Sequence, residues 1–178
     1  GPIGTVAVRA PSHNNINVVV KGKTAHAGVE PEKGISAIQI ASEAISEMKL
    51  GRIDYETTAN IGVIKGGLAT NIVCDRVEIK AEVRSRNEQK LDKETLNIKQ
   101  CFEKAAQKFG GSVEFNVNKE YQAFNINEDE KIIFLLKDAA AKTGIELKLE
   151  ATGGGSDTNI INSRGIKGVD ISVGMDKV

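Results

Sequence analysis

His26 is one of only two histidines in the chain, and its neighbours Thr24, Ala25, Ala27 and Gly28 are small. Little local bulk can bury its ring, so the imidazole is placed to project toward a ligand. There it could donate a hydrogen bond to the oxyanion of an acyl-transfer transition state. A metal ligand would want a second histidine at ligand spacing, and none is present. The bland alternative is a histidine satisfied within the fold. Asn71 lies in LATNIVCD (68–75), just after the Gly66-Gly67 turn. Its amide could orient a substrate carbonyl or carboxylate, or simply bond its own backbone in a turn. Arg84, in AEVRSRN (81–87), could clamp a carboxylate with two parallel hydrogen bonds, or lie on a solvated strand face beside Glu82. Gly153, Gly154, Gly155 and Ser156 sit in TGGGSD (152–157). Three glycines allow close backbone approach, and free N–H groups bind anions. The competing reading is a tight turn capped by Ser156 or Asp157. A phosphate loop is excluded, because the Lys-Ser/Thr ending is missing.

These residues need elements to hold them. Residues 15–20 alternate as a strand, with Ile16, Val18 and Val20 on one face. Pro31 and Gly34 turn the chain into a helix from about residue 35 to 50. Its expected apolar stripe is Ile35, Ile38, Ala41, Ile45 and Met48. Residues 57–65 and 71–84 read as strands. Asn87 should cap a second helix with the stripe Leu91, Thr95, Ile98, Phe102, Ala105 and Phe109, stopped by Gly110-Gly111. Val113, Phe115 and Val117 form the last strand of this unit. The order β-α-β-β-α-β predicts a ferredoxin-like α+β unit: a four-stranded antiparallel sheet, two helices on one face, and the other face open.

The remainder differs. Residues 127–130 (NEDE) have the spacing of a capping box before an apolar helix that ends at Gly144. Residues 145–149 and 169–173 read as short strands, with a short helix from TGGGSD to about Ser163 between them. Together with a strand at residues 5–8, these pieces do not close a core and look like part of a larger α/β domain. His13, beside Pro11-Ser12, reads as a linker residue. Cys74 and Cys101 read as packing residues.

Composition excludes several classes. Lys+Arg and Asp+Glu number 24 each, so no basic surplus points to nucleic acid or an anionic membrane. No apolar run approaches the roughly 18 residues of a membrane span. Two cysteines are too few for a disulfide framework, which suits a reduced, cytoplasmic protein.

Taken together, KGKTAHAG, PEKGISAI, ATNIVCD, AEVRSR and GGGSDTNII resemble the peptidase T-like zinc metallopeptidases. That superfamily includes carboxypeptidase G, aminoacylase and succinyl-diaminopimelate desuccinylase. The resemblance implies that residues 12–119 are a lid that forms a homodimer. Residues 1–11 and 120–178 would be fragments of an α/β catalytic domain. It implies an enzyme with two zinc ions that hydrolyses peptide or amide bonds of small peptides. His26 would stabilise the oxyanion in the other subunit's site, Asn71 would touch substrate, and Arg84 with Gly153–Ser156 would hold its carboxylate. The zinc ligands would lie before Gly1 and after Val178, so this chain would carry none and would be inactive alone. A non-catalytic ferredoxin-like dimerisation or amino-acid-binding module is the rival reading.

Overall fold

The computed structural model describes residues 1–175. The strand expected at residues 15–20 is there, but it is longer and central. It is β2 (Ser12–Lys21), flanked on both sides by antiparallel partners β5 (Arg76–Ser85) and β6 (Ser112–Tyr121). β4 (Thr57–Gly66) pairs with the far side of β5, and a two-residue strand, β3 (Gly51–Arg52), pairs with part of β4. The sheet order is β3-β4-β5-β2-β6, so the sheet has five strands rather than the four expected. The extra strand is the short return from the first helix, which the sequence marks only by Gly51.

Two helices, α1 (Ala37–Ser46) and α2 (Glu88–Phe109), pack on one face. The core between them and the sheet holds Ile16, Val18, Val20, Ile40, Ile79, Val83, Leu91, Ile98 and Phe102. The α2 cap is as expected: the Asn87 side chain accepts from the Lys90 N–H at 3.1 Å, and Gly110 closes the helix at φ 76°. The α1 stripe is met in part. Ala41 and Met48 are buried and Ile35 and Ile45 pack against the core, but Ile38 is exposed, and Ala37, Ile40 and Ala44 are buried beside the expected stripe. The α+β unit is thus the ferredoxin-like arrangement, with one added strand.

The second sheet is smaller. β1 (Thr5–Ala10) pairs in parallel with β8 (Lys148–Ala151) and antiparallel with β7 (Phe124–Asn125) and β9 (Asp170–Ile171). α3 (Lys131–Thr143) and α4 (Asp157–Ser163) complete it. The core of this body is small: Val6, Val8, Ala10, Phe124, Ile126 and Ile133. Phe134, Leu135, Ile160, Ile161 and Ile166 remain exposed. The α3 start departs from expectation. Glu130 is the N-cap, and no side chain caps it. Among the described residues, no helix is long and apolar enough to cross a membrane.

Candidate functional site

The candidate residues fall into two clusters at opposite ends of β2. The distal cluster follows Lys21. Gly22 passes so near the start of α1 that a Cβ there would lie 2.0 Å from the Ile35 carbonyl oxygen. The next loop is held to the β4–β5 connection by a bridge between His26 and Ile72, and by the Ala27 N–H donating to the Asn71 carbonyl at 2.9 Å. His26 and Asn71 are therefore neighbours, and both are exposed. The Gly28 N–H donates to His26 Nδ1 at 3.2 Å. An accepting Nδ1 carries no proton, so the neutral ring bears its proton on Nε2 and presents it outward as a donor.

The proximal cluster lies where β2 begins and β5 ends. Arg84 donates from Nε and Nη2 to both oxygens of Glu82, each at 3.0 Å. The bland reading of Arg84 beside Glu82 is thus part of the geometry. This contact, more than any other, holds the Glu82 carboxyl below its usual range. Arg84 Nη1 points to the Tyr121 hydroxyl at 3.4 Å. The Tyr121 ring lies directly against Gly155, where a Cβ would fall 2.2 Å from the ring carbons. Arg84 and the triglycine loop are therefore brought together through Tyr121, a residue not singled out in the sequence.

Ser156 does cap α4. Its Oγ accepts from the Thr158 N–H at 3.2 Å and donates to Asp170 at 2.7 Å. The Asn159 side chain completes a capping box by accepting from the Ser156 N–H at 3.0 Å. The Gly154 N–H is taken by Thr152 Oγ1 at 3.1 Å. Gly153 and Gly155 have no backbone acceptor among the described residues.

His13 is not a linker residue. It lies in β2 between Arg84 and Tyr121, 7% exposed. Its ring is tilted against Tyr121 at 5.3 Å. Nε2 stands 3.2 Å from Glu82 but is too poorly aligned to make a hydrogen bond. Burial, then the Arg84 charge, lowers the His13 pKa; Glu82 and Glu120 oppose them. The signal for a buried His13 was weak, because HNN (13–15) shows no apolar alternation. Cys74 is buried and packs in the core, while Cys101 is half-buried, and burial raises its thiol pKa.

β2 separates the two clusters. Ser12 to Lys21 spans nine residue steps, about 30 Å of strand. No small molecule held by Arg84 and the glycine loop can also touch His26 of the same chain. Among the described residues, no three His, Cys, Asp or Glu side chains converge closely enough to hold a metal ion.

Residues 12–109 match the Peptidase dimerisation domain. A Bacillus subtilis (strain 168) protein, the uncharacterized YqjE, is 48% identical over all 178 residues, which make up 48% of its length. The chain superposes on aminopeptidase PepT of Bacillus cereus with a TM-score of 0.93 at 46% identity. It superposes on a tripeptidase of Staphylococcus aureus with a TM-score of 0.95 at 42% identity. Each match covers 100% of this chain and 48% of the other. The chain thus spans about half the length of the relatives it matches.

Proposed function

The chain belongs to the M20 peptidase family, and we propose that it is the lid and adjoining catalytic-domain portion of a tripeptidase-like exopeptidase acting on small peptides. Residues 12–119 are the lid; residues 1–11 and 120–178 belong to the catalytic domain. Arg84 and the loop Gly153–Ser156 receive the peptide carboxylate. Asn71 contacts substrate from the distal loop. His26 donates from Nε2 to the oxyanion in the site of a second copy. The two zinc ions belong to the whole enzyme, and the described residues form no ligand set for them.

One observation carries this reading: the separation of His26 and Asn71 from Arg84 and Gly155 by the length of β2. Residues that serve one small substrate cannot stand that far apart in one subunit, but two subunits can bring them together. The surface supports pairing. β3 covers β4 only at Thr58 and Ala59, leaving the rest of its outer edge open among the described residues. Ile38, Ile64, Leu68 and Ile72 are exposed. An open strand edge with apolar neighbours suits a second copy.

Mixed dimers of the whole enzyme test the arrangement. A His26→Ala subunit paired with an Arg84→Ala subunit concentrates both defects in one site and leaves the other intact. Equal mixing should restore about a quarter of wild-type activity in a twofold dimer. If His26 acts within its own subunit, every site carries a defect and the mixture stays as inactive as its parents.

A further inference from the structure

The chain crosses between the two sheets twice, at Pro11 and at Gln122, and one side-chain amide holds both crossings. Asn159 has no exposed surface. Its Nδ2 donates to the Pro11 carbonyl at 3.1 Å and to the Gln122 carbonyl at 2.7 Å. Its Oδ1 accepts from the Ser156 N–H at 3.0 Å. Both amide protons and the carbonyl oxygen are therefore engaged. A second tie lies beside it: Ser12 Oγ accepts from the Ala123 N–H at 2.6 Å and also pairs with Glu88 of α2.

We propose that Asn159 is the positioning residue of a hinge lock. Its two donors fix the angle between the α+β unit and the body, and its acceptor sets the glycine loop from the same side chain. Tyr121, the residue before Gln122, then meets Gly155 on one side and Arg84 on the other. Asn159 thus acts on both the lid orientation and the spacing between Arg84 and the glycine loop, beside the Ser12–Ala123 tie and the Arg86 contact to the Thr152 carbonyl at 3.5 Å. An aspartate has the same shape but would turn an acceptor toward two carbonyl oxygens. A leucine would leave the buried Pro11 carbonyl, the part-buried Gln122 carbonyl and the Ser156 N–H without this partner. The catalytic consequence rests on the carboxylate-binding role proposed for Arg84 and the loop; the lock itself does not.

Residual dipolar couplings of the isotope-labelled 178-residue chain test the lock without turnover. In the wild type, couplings from β2, β5 and β6 and couplings from β1 and α3 should fit one alignment tensor. In Asn159→Asp they should require two tensors, while each set still fits by itself. A single tensor in that variant would overturn the proposal. If the variant loses the body altogether, the wild type decides. The Asn159 side-chain protons should exchange about a hundredfold or more slowly than those of exposed Asn116. Equal rates would overturn the lock. In the whole enzyme, Asn159→Asp should raise KM about tenfold for peptides with a free carboxylate, at little change in kcat, and spare C-terminally amidated peptides. Split tensors with an unchanged KM would uphold the lock and count against the carboxylate reading alone.

Discussion

Gly155 and Tyr121 meet so closely that position 155 has no room for a side chain: a Cβ there would stand 2.2 Å from the Tyr121 ring. The glycine loop of the body is therefore seated on the last residue of β6. Overfilling so close a contact costs about 1–3 kcal/mol. Gly155→Ala should destabilise the chain by that amount, and Gly155→Ala with Tyr121→Ala should cost less than the two changes summed. Urea unfolding of the four proteins measures the coupling. Strictly additive costs would mean that the two residues do not meet.

His26 should be dispensable for folding. It is exposed, and exposed substitutions away from special features stay within about 0.5 kcal/mol. His26→Ala should leave the melting temperature of this chain unchanged and, in the whole enzyme, lower kcat by about 10²–10³-fold, the usual loss of one oxyanion donor. Nitrogen NMR of the neutral ring checks the geometry behind this. Nδ1 should resonate as the unprotonated nitrogen and Nε2 as the protonated one. The opposite tautomer would remove the outward donor.

His13 makes stability depend on pH near neutrality. Its folded pKa lies below the ordinary 6.5, chiefly because burial disfavours the charged ring. The unfolded chain then binds more protons than the folded one between the two pKa values, so stability rises with pH across that interval. The contribution is complete above about 6.5, declines as pH falls toward the lowered folded value, and levels off below it. Denaturation midpoints from pH 7.5 to 5 should show this slope, and His13→Asn should flatten it. An equal slope in the variant would assign the effect to other groups.

The cap of α2 offers a small, clean stability effect. The Asn87 side chain satisfies the Lys90 N–H in the first turn. Asn87→Ala should cost about 1 kcal/mol and Asn87→Gly only a few tenths. Thermal unfolding of both variants would show it, and equal costs would point to a role for Asn87 beyond capping.

The parts legible in the sequence were those where local chemistry and tertiary packing agree. The stripe from Leu91 to Phe109 became a buried face, and Asn87 and Gly110 bound the helix as their types require. His26 with its small neighbours did project outward. Legibility failed where distant partners decide. His13 and Asn14 show no apolar rhythm, yet they form strand because β5 and β6 take their backbone groups on both sides. Ile38 matched a helical stripe with Ala41 and Ile45, yet Ile40, two residues on, is the one buried in the core. Tyr121 and Asn159 carry no local signature at all. Their significance lies in contacts across 34 and 148 residues of chain, from Tyr121 to Gly155 and from Pro11 to Asn159.

The carbonyls of Pro11 and Gln122 both lie within 3.1 Å of a single nitrogen. The polypeptide therefore leaves the smaller sheet and comes back to it at nearly the same place, so the α+β unit is a cassette on a two-pronged plug. Such a unit can be exchanged for a relative's without respacing the socket, provided the incoming prongs offer the same two carbonyls. Backbone carbonyls exist whatever the side chains, so the junction's demands on the incoming sequence fall on a few positions: Tyr121 against Gly155, Ser12 on the Ala123 N–H, and Arg86 on the Thr152 carbonyl. The loop bearing His26 stands at the far end of β2 from that base, so its contacts and those of the junction are set by different residues.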